Sequence, residues 1–376
     1  MSNLSLRTRR TRRTQRPQRP HGQSRTRTVL ALALASVVAL PTVNPSSAVA
    51  ATKTTKKAVK KVKTTTTKRR KPPAPAKGAR RIGGLWQPNG RPPVAALNFD
   101  PNPPSKDLAN PSAPNEDAAF KLVEPAAPIF SILIVGTDAR PGERPDRTRG
   151  DSIHVFTYNP ALKKGALVGL ARDSYVQAPS GEMRKINEVM STAGPEAFLA
   201  TVNSITGLKT TRYILTGFDG FKKIVDGVGG LNVNVDPQLN DVTSGAQFAK
   251  GWFQFNGAAA LAFARARKTL PRGDFDRSAN QAKLMLNGFD RLRESTDNVR
   301  ALLNWVLVVR KNAISNVKAT EWMYLAQIAR SIPSTAVTSK VVSGKPETVN
   351  GSDVIKLDDA DIAALAADIA DGVLGN

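Results

Sequence analysis

IFSILIVGTD, residues 129 to 138, is the stretch on which the fold of this chain turns. It is an apolar, β-branched run that closes on a glycine, the pattern of a buried strand. Two more runs follow at once. DSIHVFTYNP, 151 to 160, alternates and stops at an Asn-Pro turn. KKGALVGLARDSYV, 163 to 176, starts from a Lys-Lys-Gly turn and runs as a third strand. The three predict a meander.

Downstream the period changes. GPEAFLATVNSITG (194–207) has helical spacing and a Gly stop, and TTRYILTGF (210–218) reads as a strand. FDGFKKIVDGVGG (218–230) predicts a helix ending in glycines before the strand LNVNV (231–235). NGAAALAFARAR (256–267) starts from an Asn cap, runs helical and then extends. DRSANQAKLMLNGFDRLRE (276–294) predicts a long amphipathic helix. Further helices are expected over 300–315, 319–332 and 358–373. Strands and helices interleave, which predicts an α/β (α+β) fold: one domain, residues 128–376, with a central mixed β-sheet flanked by helices.

Upstream the composition is different. The chain has 376 residues and a net charge of +25, but 22 of its 55 Lys and Arg precede residue 82 and its first acid is Asp100. From residue 82 onward 33 basic residues face 30 acidic ones. The basicity belongs to a tail, so nucleic acid is not the expected partner of the domain. Residues 1–50 combine an Arg-rich start, the apolar run TVLALALASVVAL (28–40) and small residues at Ala48 and Ala50. That is the layout of a secretory signal peptide, or of a signal anchor kept in the bilayer. Residues 51–127 are Lys/Thr- and then Pro-rich, which reads as a disordered spacer. The same spacer is suited to anionic envelope surfaces.

The chain has no Cys, and its two histidines are His21 and His154. Thiol chemistry is excluded and histidine-based catalysis nearly so. What remains is Asp, Glu, Arg, Lys and hydroxyls, and these fall into four clusters. GTDARPGERPDRTRGDS (136–152) carries Asp138, Arg140, Arg149 and Asp151. ARDSY (171–175) carries Arg172 and Asp173, and RKIN (184–187) carries Lys185 and Asn187. FARARKTLPRGDFDRSANQ (263–281) carries Arg265 and Arg267, spaced as on one side of a strand, then Asp274, Arg277 and Gln281, spaced as on one side of a helix. Six guanidinium groups suit phosphate oxygens. Asp138 and Asp151 suit Mg²⁺, which takes one or two carboxylates plus phosphate oxygens and water. The set fits a pyrophosphate with Mg²⁺. With no ligand bound, the arginines are expected to repel one another.

The ordered series ILIVGTDAR, RGDS, ARDSY, KIN, GFDGFKKIVDGVGGLNVNV, NGAAALAFARARK and GDFDRSANQ resembles the LytR–CpsA–Psr family over about residues 130–370. The resemblance implies an extracytoplasmic, Mg²⁺-dependent phosphotransferase, moving a glycopolymer from a polyprenyl-pyrophosphate carrier to a peptidoglycan acceptor. It places Asp138, Arg149, Asp151, Arg172 and Arg267 in catalysis, with Asp138 and Asp151 on the metal. It puts Arg140, Arg149, Arg172, Arg265, Arg267, Arg277 and Gln281 around the pyrophosphate, supported by Asp274, Lys185 and Asn187. Two positions depart from the family pattern, Ala171 for a Pro and Asn280 for an Arg. The alternatives are a polyprenyl-pyrophosphate hydrolase and a non-catalytic envelope-binding or regulatory protein.

Overall fold

The computed structural model describes residues 73–76, 78–90, 129–295 and 299–375. The signal region 1–50, with its apolar run, and most of the spacer 51–127 lie outside the described residues. Among the described residues no helix is long and apolar enough to cross a membrane.

The three opening runs form β1 (Phe130–Thr137), β2 (Gly150–Asn159) and β3 (Lys164–Leu170), paired antiparallel as a meander. After helix α1 (Ile186–Thr206), β4 (Tyr213–Thr216) pairs parallel with β1. Helix α2 (Phe218–Gly227), strands β5 (Leu231–Val235) and β6 (Gly251–Phe255), and helix α3 (Gly257–Arg265) follow, then α4 (Asp274–Ser295) and α5 (Val299–Asn312). The chain ends with β7 (Ile314–Ser315), α6 (Ala319–Ser331), β8 (Val337–Val341) and α7 (Asp359–Asp368). The central sheet runs β7-β4-β1-β2-β3-β8. It is mixed, with β1–β4 and β3–β8 parallel and the other pairs antiparallel.

Both faces of this sheet are covered, which is why β1 reads as a continuous apolar run rather than an alternating one. Leu133 and Val135 point to the face packed by Phe198, Leu199 and Val202 of α1 and Leu365 of α7. Phe130 and Ile132 point to the other, packed by Ala282 of α4, Leu302 of α5 and Trp322 of α6. A third cluster, rich in Phe, joins α2, β5, β6 and α3.

Several expectations need correcting. Helix α1 starts eight residues earlier than its period suggests, because its first turns continue across a kink at Gly194, where φ is 86°. Arg265 is the last residue of α3, not part of a strand; the extended backbone begins at Ala266. β8, and the hairpin Gly344–Val349 with Ser352–Leu357, were not expected. That hairpin turns on Asn350 and Gly351, both at positive φ, the Asn-Gly signature of a tight turn. Part of the stretch read as a disordered spacer is also placed on the domain. Trp86 pairs in parallel with Phe248, Asn89 N donates to Trp252 O, and Asn256, the cap of α3, donates to Ala74 O and Pro75 O.

Candidate active site

The ends of β1 and β3 and the start of β2 lie at one edge of the sheet, because antiparallel neighbours bring alternate ends together. A register shift between Gly136 and Thr137 ends the β1–β2 ladder at that edge. Asp138 follows it, and its Oδ1 accepts from Arg149 N at 3.0 Å. Asp151 stands one residue inside β2. Arg172 and Asp173 follow β3. Helix α4 crosses the same edge with its first turns, and Asp274, Arg277 and Gln281 are all buried there.

These groups do not repel as a bare set of arginines would; acids alternate with them. Arg172 Nη1 is 2.8 Å from Asp151 Oδ2, and its Nε is 3.6 Å from Asp173 Oδ1. Asp173 Oδ2 is 3.5 Å from Arg267 Nη1, and Lys185 Nζ is 3.7 Å from Asp173 Oδ1. Arg267 Nε is 3.2 Å from Asp274 Oδ1, which is 2.7 Å from Arg277 Nη2. Neither contact on Asp274 has hydrogen-bond alignment, so these pairs are ionic. The expected repulsion is therefore corrected: the order Asp151–Arg172–Asp173–Arg267–Asp274–Arg277 alternates in sign throughout.

The electrostatics follow from burial. Asp151 has its pKa raised, first by burial, with Asp138 adding to it and Arg172 and Arg277 opposing. Burial lowers the pKa of Arg277, and Arg172 and Arg267 add to that against the pull of Asp274 and Asp151. For Arg172 burial works against the charge, but Asp151, Asp173 and Asp274 outweigh it and the pKa rises. His154 is fully buried, and burial lowers its pKa to about 4. It is a neutral strut whose Nε2 lies 3.1 Å from Ser278 O, joining β2 to α4.

Behind the charged edge is a cavity of about 520 Å³. Asp151, Arg172, Arg265, Arg267, Arg277 and Gln281 line one end of it. Asp241, Thr243, Ser244 and Lys268 line it too, and much of the rest is apolar: Phe156 of β2, Phe221 of α2, Leu284 and Phe289 of α4, Trp305 and Val309 of α5, Trp322 and Leu325 of α6. Gln281 Nε2 donates to Ala264 O, tying α4 to the end of α3. The Arg265 guanidinium lies 4.8 Å over the Phe218 ring.

The remaining expected residues stand apart from the cavity. Arg140 and Arg149 are exposed, and neither side chain makes an ion pair with any described residue. Asn187 is buried, its backbone N donating to Arg172 O. Two residues to which the sequence reading gave no role do much of the positioning. Asp173 bridges Arg172, Lys185 and Arg267; its place beside Arg172 in ARDSY was the available signal. Asp241 gives Oδ2 to the backbone N of Arg267 and Lys268 and Oδ1 to those of Thr243 and Ser244. Nothing in LNDVTSG announces that role.

Among the described residues no three His, Asp or Glu converge as a metal cage. Asp151 Oδ1 is nevertheless buried with no hydrogen-bond partner among them, and Asp138 is close enough to raise its pKa. Two carboxylates with one orphaned oxygen suit a cation that completes its shell with phosphate and water.

A family model described as the LytR_cpsA_psr family matches residues 105–370, and the chain belongs to that family. It is 41% identical over 171 residues to the polyisoprenyl-teichoic acid–peptidoglycan teichoic acid transferase TagU of Bacillus mycoides (strain KBAB4), covering 45% of this chain and 53% of TagU. It is 31% identical over 225 residues to TagV of Bacillus subtilis (strain 168), a transferase of the same description, covering 57% of this chain and 56% of TagV. The matches thus span little more than half the length of these two relatives. The crystal structure of B. subtilis TagV superimposes with a TM-score of 0.56 at 29% identity, over 64% of this chain and 94% of that one.

Proposed function

We propose that this chain is a Mg²⁺-dependent phosphotransferase that moves a glycopolymer from a polyprenyl-pyrophosphate carrier to peptidoglycan. One observation carries the proposal: a single cavity has an arginine-rich end, its guanidinium groups held by acids, and an apolar end, which is the shape of a diphosphate joined to an isoprenoid tail. The transferase names of TagU and TagV support it.

In this reading Arg265 and Arg267 grip the diphosphate and the apolar walls take the tail. An acceptor hydroxyl attacks the sugar-linked phosphorus, the phosphoanhydride breaks, and polyprenyl phosphate leaves. Arg172 and Arg277 face the charge that develops on the leaving phosphate, and their acids hold them in place beforehand. Asp138 and Asp151 would hold Mg²⁺, which when bound neutralises phosphate charge. The N-terminal signal would carry the domain out of the cytoplasm, and the basic spacer would cling to anionic envelope polymers.

The test is incubation of the purified chain with lipid-linked glycan and peptidoglycan fragments, with and without Mg²⁺. Mg²⁺-dependent attachment of glycan is expected. Release of free glycan phosphate without attachment would make the protein a hydrolase. A second readout is independent of turnover. The pKa of Asp151 is raised in the fold, so its contribution to stability is present below the unfolded value and lost as pH rises through the folded one. The ionised carboxylate is a cost that bound Mg²⁺ would relieve. Mg²⁺ should raise the melting temperature of the wild type and leave Asp151→Asn unmoved.

A further inference from the structure

Helix α5 carries a stripe that its packing does not use. Arg300, Leu303, Leu307 and Arg310 recur at spacings of three, four and three, so they lie along one side of the helix. All four are exposed, Leu303 at 39% and Leu307 at 58%. Lys311 follows, and the helix contains no acid. On the other side Leu302 and Val306 are buried in the core, and Val306 and Val309 line the apolar end of the cavity. One helix thus walls the cavity with one side and shows water two leucines bracketed by cations with the other. Trp305, which also lines the cavity, is itself partly exposed.

Exposed leucines one turn apart between basic residues match the chemistry of a bilayer interface: apolar side chains reach the acyl boundary while guanidinium groups meet lipid phosphates. A second copy of the chain fits less well. Two such helices packed antiparallel would set Arg300 against Arg310 with no acid on either to separate them. We propose that α5 rests on an anionic lipid surface through Leu303 and Leu307, with Arg300, Arg310 and Lys311 on the headgroups. The apolar end of the cavity is then held at the bilayer, where an isoprenoid tail can enter it. The inference goes beyond the transfer reading and rests on it only for the direction in which the tail enters.

The chain has no Cys, so a single introduced thiol can be labelled cleanly. Full-length Leu307→Cys and Leu303→Cys, each carrying an environment-sensitive fluorophore, are mixed with vesicles of phosphatidylcholine containing phosphatidylglycerol. Leu162→Cys is the reference, an equally exposed site in the turn between β2 and β3. Thermal melts confirm that each variant folds. The labels on α5 should brighten about two-fold or more and shift to shorter wavelength on anionic vesicles, while the label at 162 stays aqueous. If the chain sediments with vesicles but all three labels stay aqueous, the basic tail alone binds and the inference falls. It falls equally if the chain ignores the vesicles, if all three labels respond alike, or if the α5 labels respond to protein concentration without lipid. None of these results bears on glycan transfer, which is read separately.

Discussion

The arginines around this site fall into two sets, and the sets are held in opposite ways. Arg172 and Arg277 are enclosed, each against acids, and Arg277 keeps only 7% of its surface exposed. Arg140, Arg149 and Arg265 are exposed, and the Arg265 guanidinium leans on the Phe218 ring. Arg267 joins the sets, with its backbone fixed by Asp241 and its side chain between Asp173 and Asp274. An enclosed arginine cannot follow a ligand without abandoning a buried carboxylate, so a ligand must fit it. An exposed arginine is free to close on whatever arrives. On the proposed transfer reading the inner set would supply fixed charge, and Arg265, the member of the outer set that lines the cavity, would supply grip.

The sharpest way to break this distinction is to remove an inner arginine. Arg277→Met removes the shorter of the two ion pairs on Asp274, whose side chain is 3% exposed, leaves it only the 3.2 Å contact with Arg267, and should cost about 3 kcal/mol or more of stability. For a domain of this size that lowers the melting point by roughly 10 °C, measurable by calorimetry, with activity lost as well. An unchanged melting point would mean that the inner set is not built into the fold.

The scaffold behind the inner set can be probed by pH. His154 is held neutral with a folded pKa of about 4, below its unfolded value. Its contribution is fully present above pH 6.5 and is lost as pH falls through 4, on the order of 3 kcal/mol. Melts between pH 7 and pH 4 should show that loss in the wild type and a flatter profile in His154→Leu.

The smallest effects on stability belong to the outer edge, and they sharpen the comparison. Arg267→Lys keeps the charge but loses the fork between Asp173 and Asp274, so kcat should fall about ten-fold or more while stability moves by about 1 kcal/mol at most. Arg265→Ala should raise KM several-fold, leave kcat nearly unchanged, and shift stability by no more than about 1 kcal/mol. Equal losses of kcat in both variants would erase the difference between grip and fixed charge.

What was legible in the sequence follows the same division. The meander was readable because each strand is a short apolar run ended by a turn, and the face Asp274, Arg277 and Gln281 because helical spacing puts them together. Arg265 was misplaced because a helix end followed by extended backbone mimics strand alternation. The segment 78–90 was hidden by its neighbours: a Lys- and Pro-rich setting outweighed Ile82, Leu85 and Trp86, although Gly83 and Gly84, both at positive φ, are the hairpin signal between them. Asp241 acts through four backbone N–H groups, and no side-chain pattern encodes such contacts. The alternation of acids with arginines was invisible for a related reason. Residues 151, 173, 267 and 274 come from three stretches, and only the sheet edge brings them together.

Calorimetric titration of the purified chain with farnesyl diphosphate, farnesol and inorganic pyrophosphate, each in the presence of Mg²⁺, asks most directly whether one cavity takes both ends of the donor. Farnesyl diphosphate should bind at least about ten-fold more tightly than either fragment, and Arg267→Ala should bring it down toward farnesol. Equal binding of farnesyl diphosphate and farnesol would contradict the charged end, and equal binding of farnesyl diphosphate and pyrophosphate would contradict the apolar one.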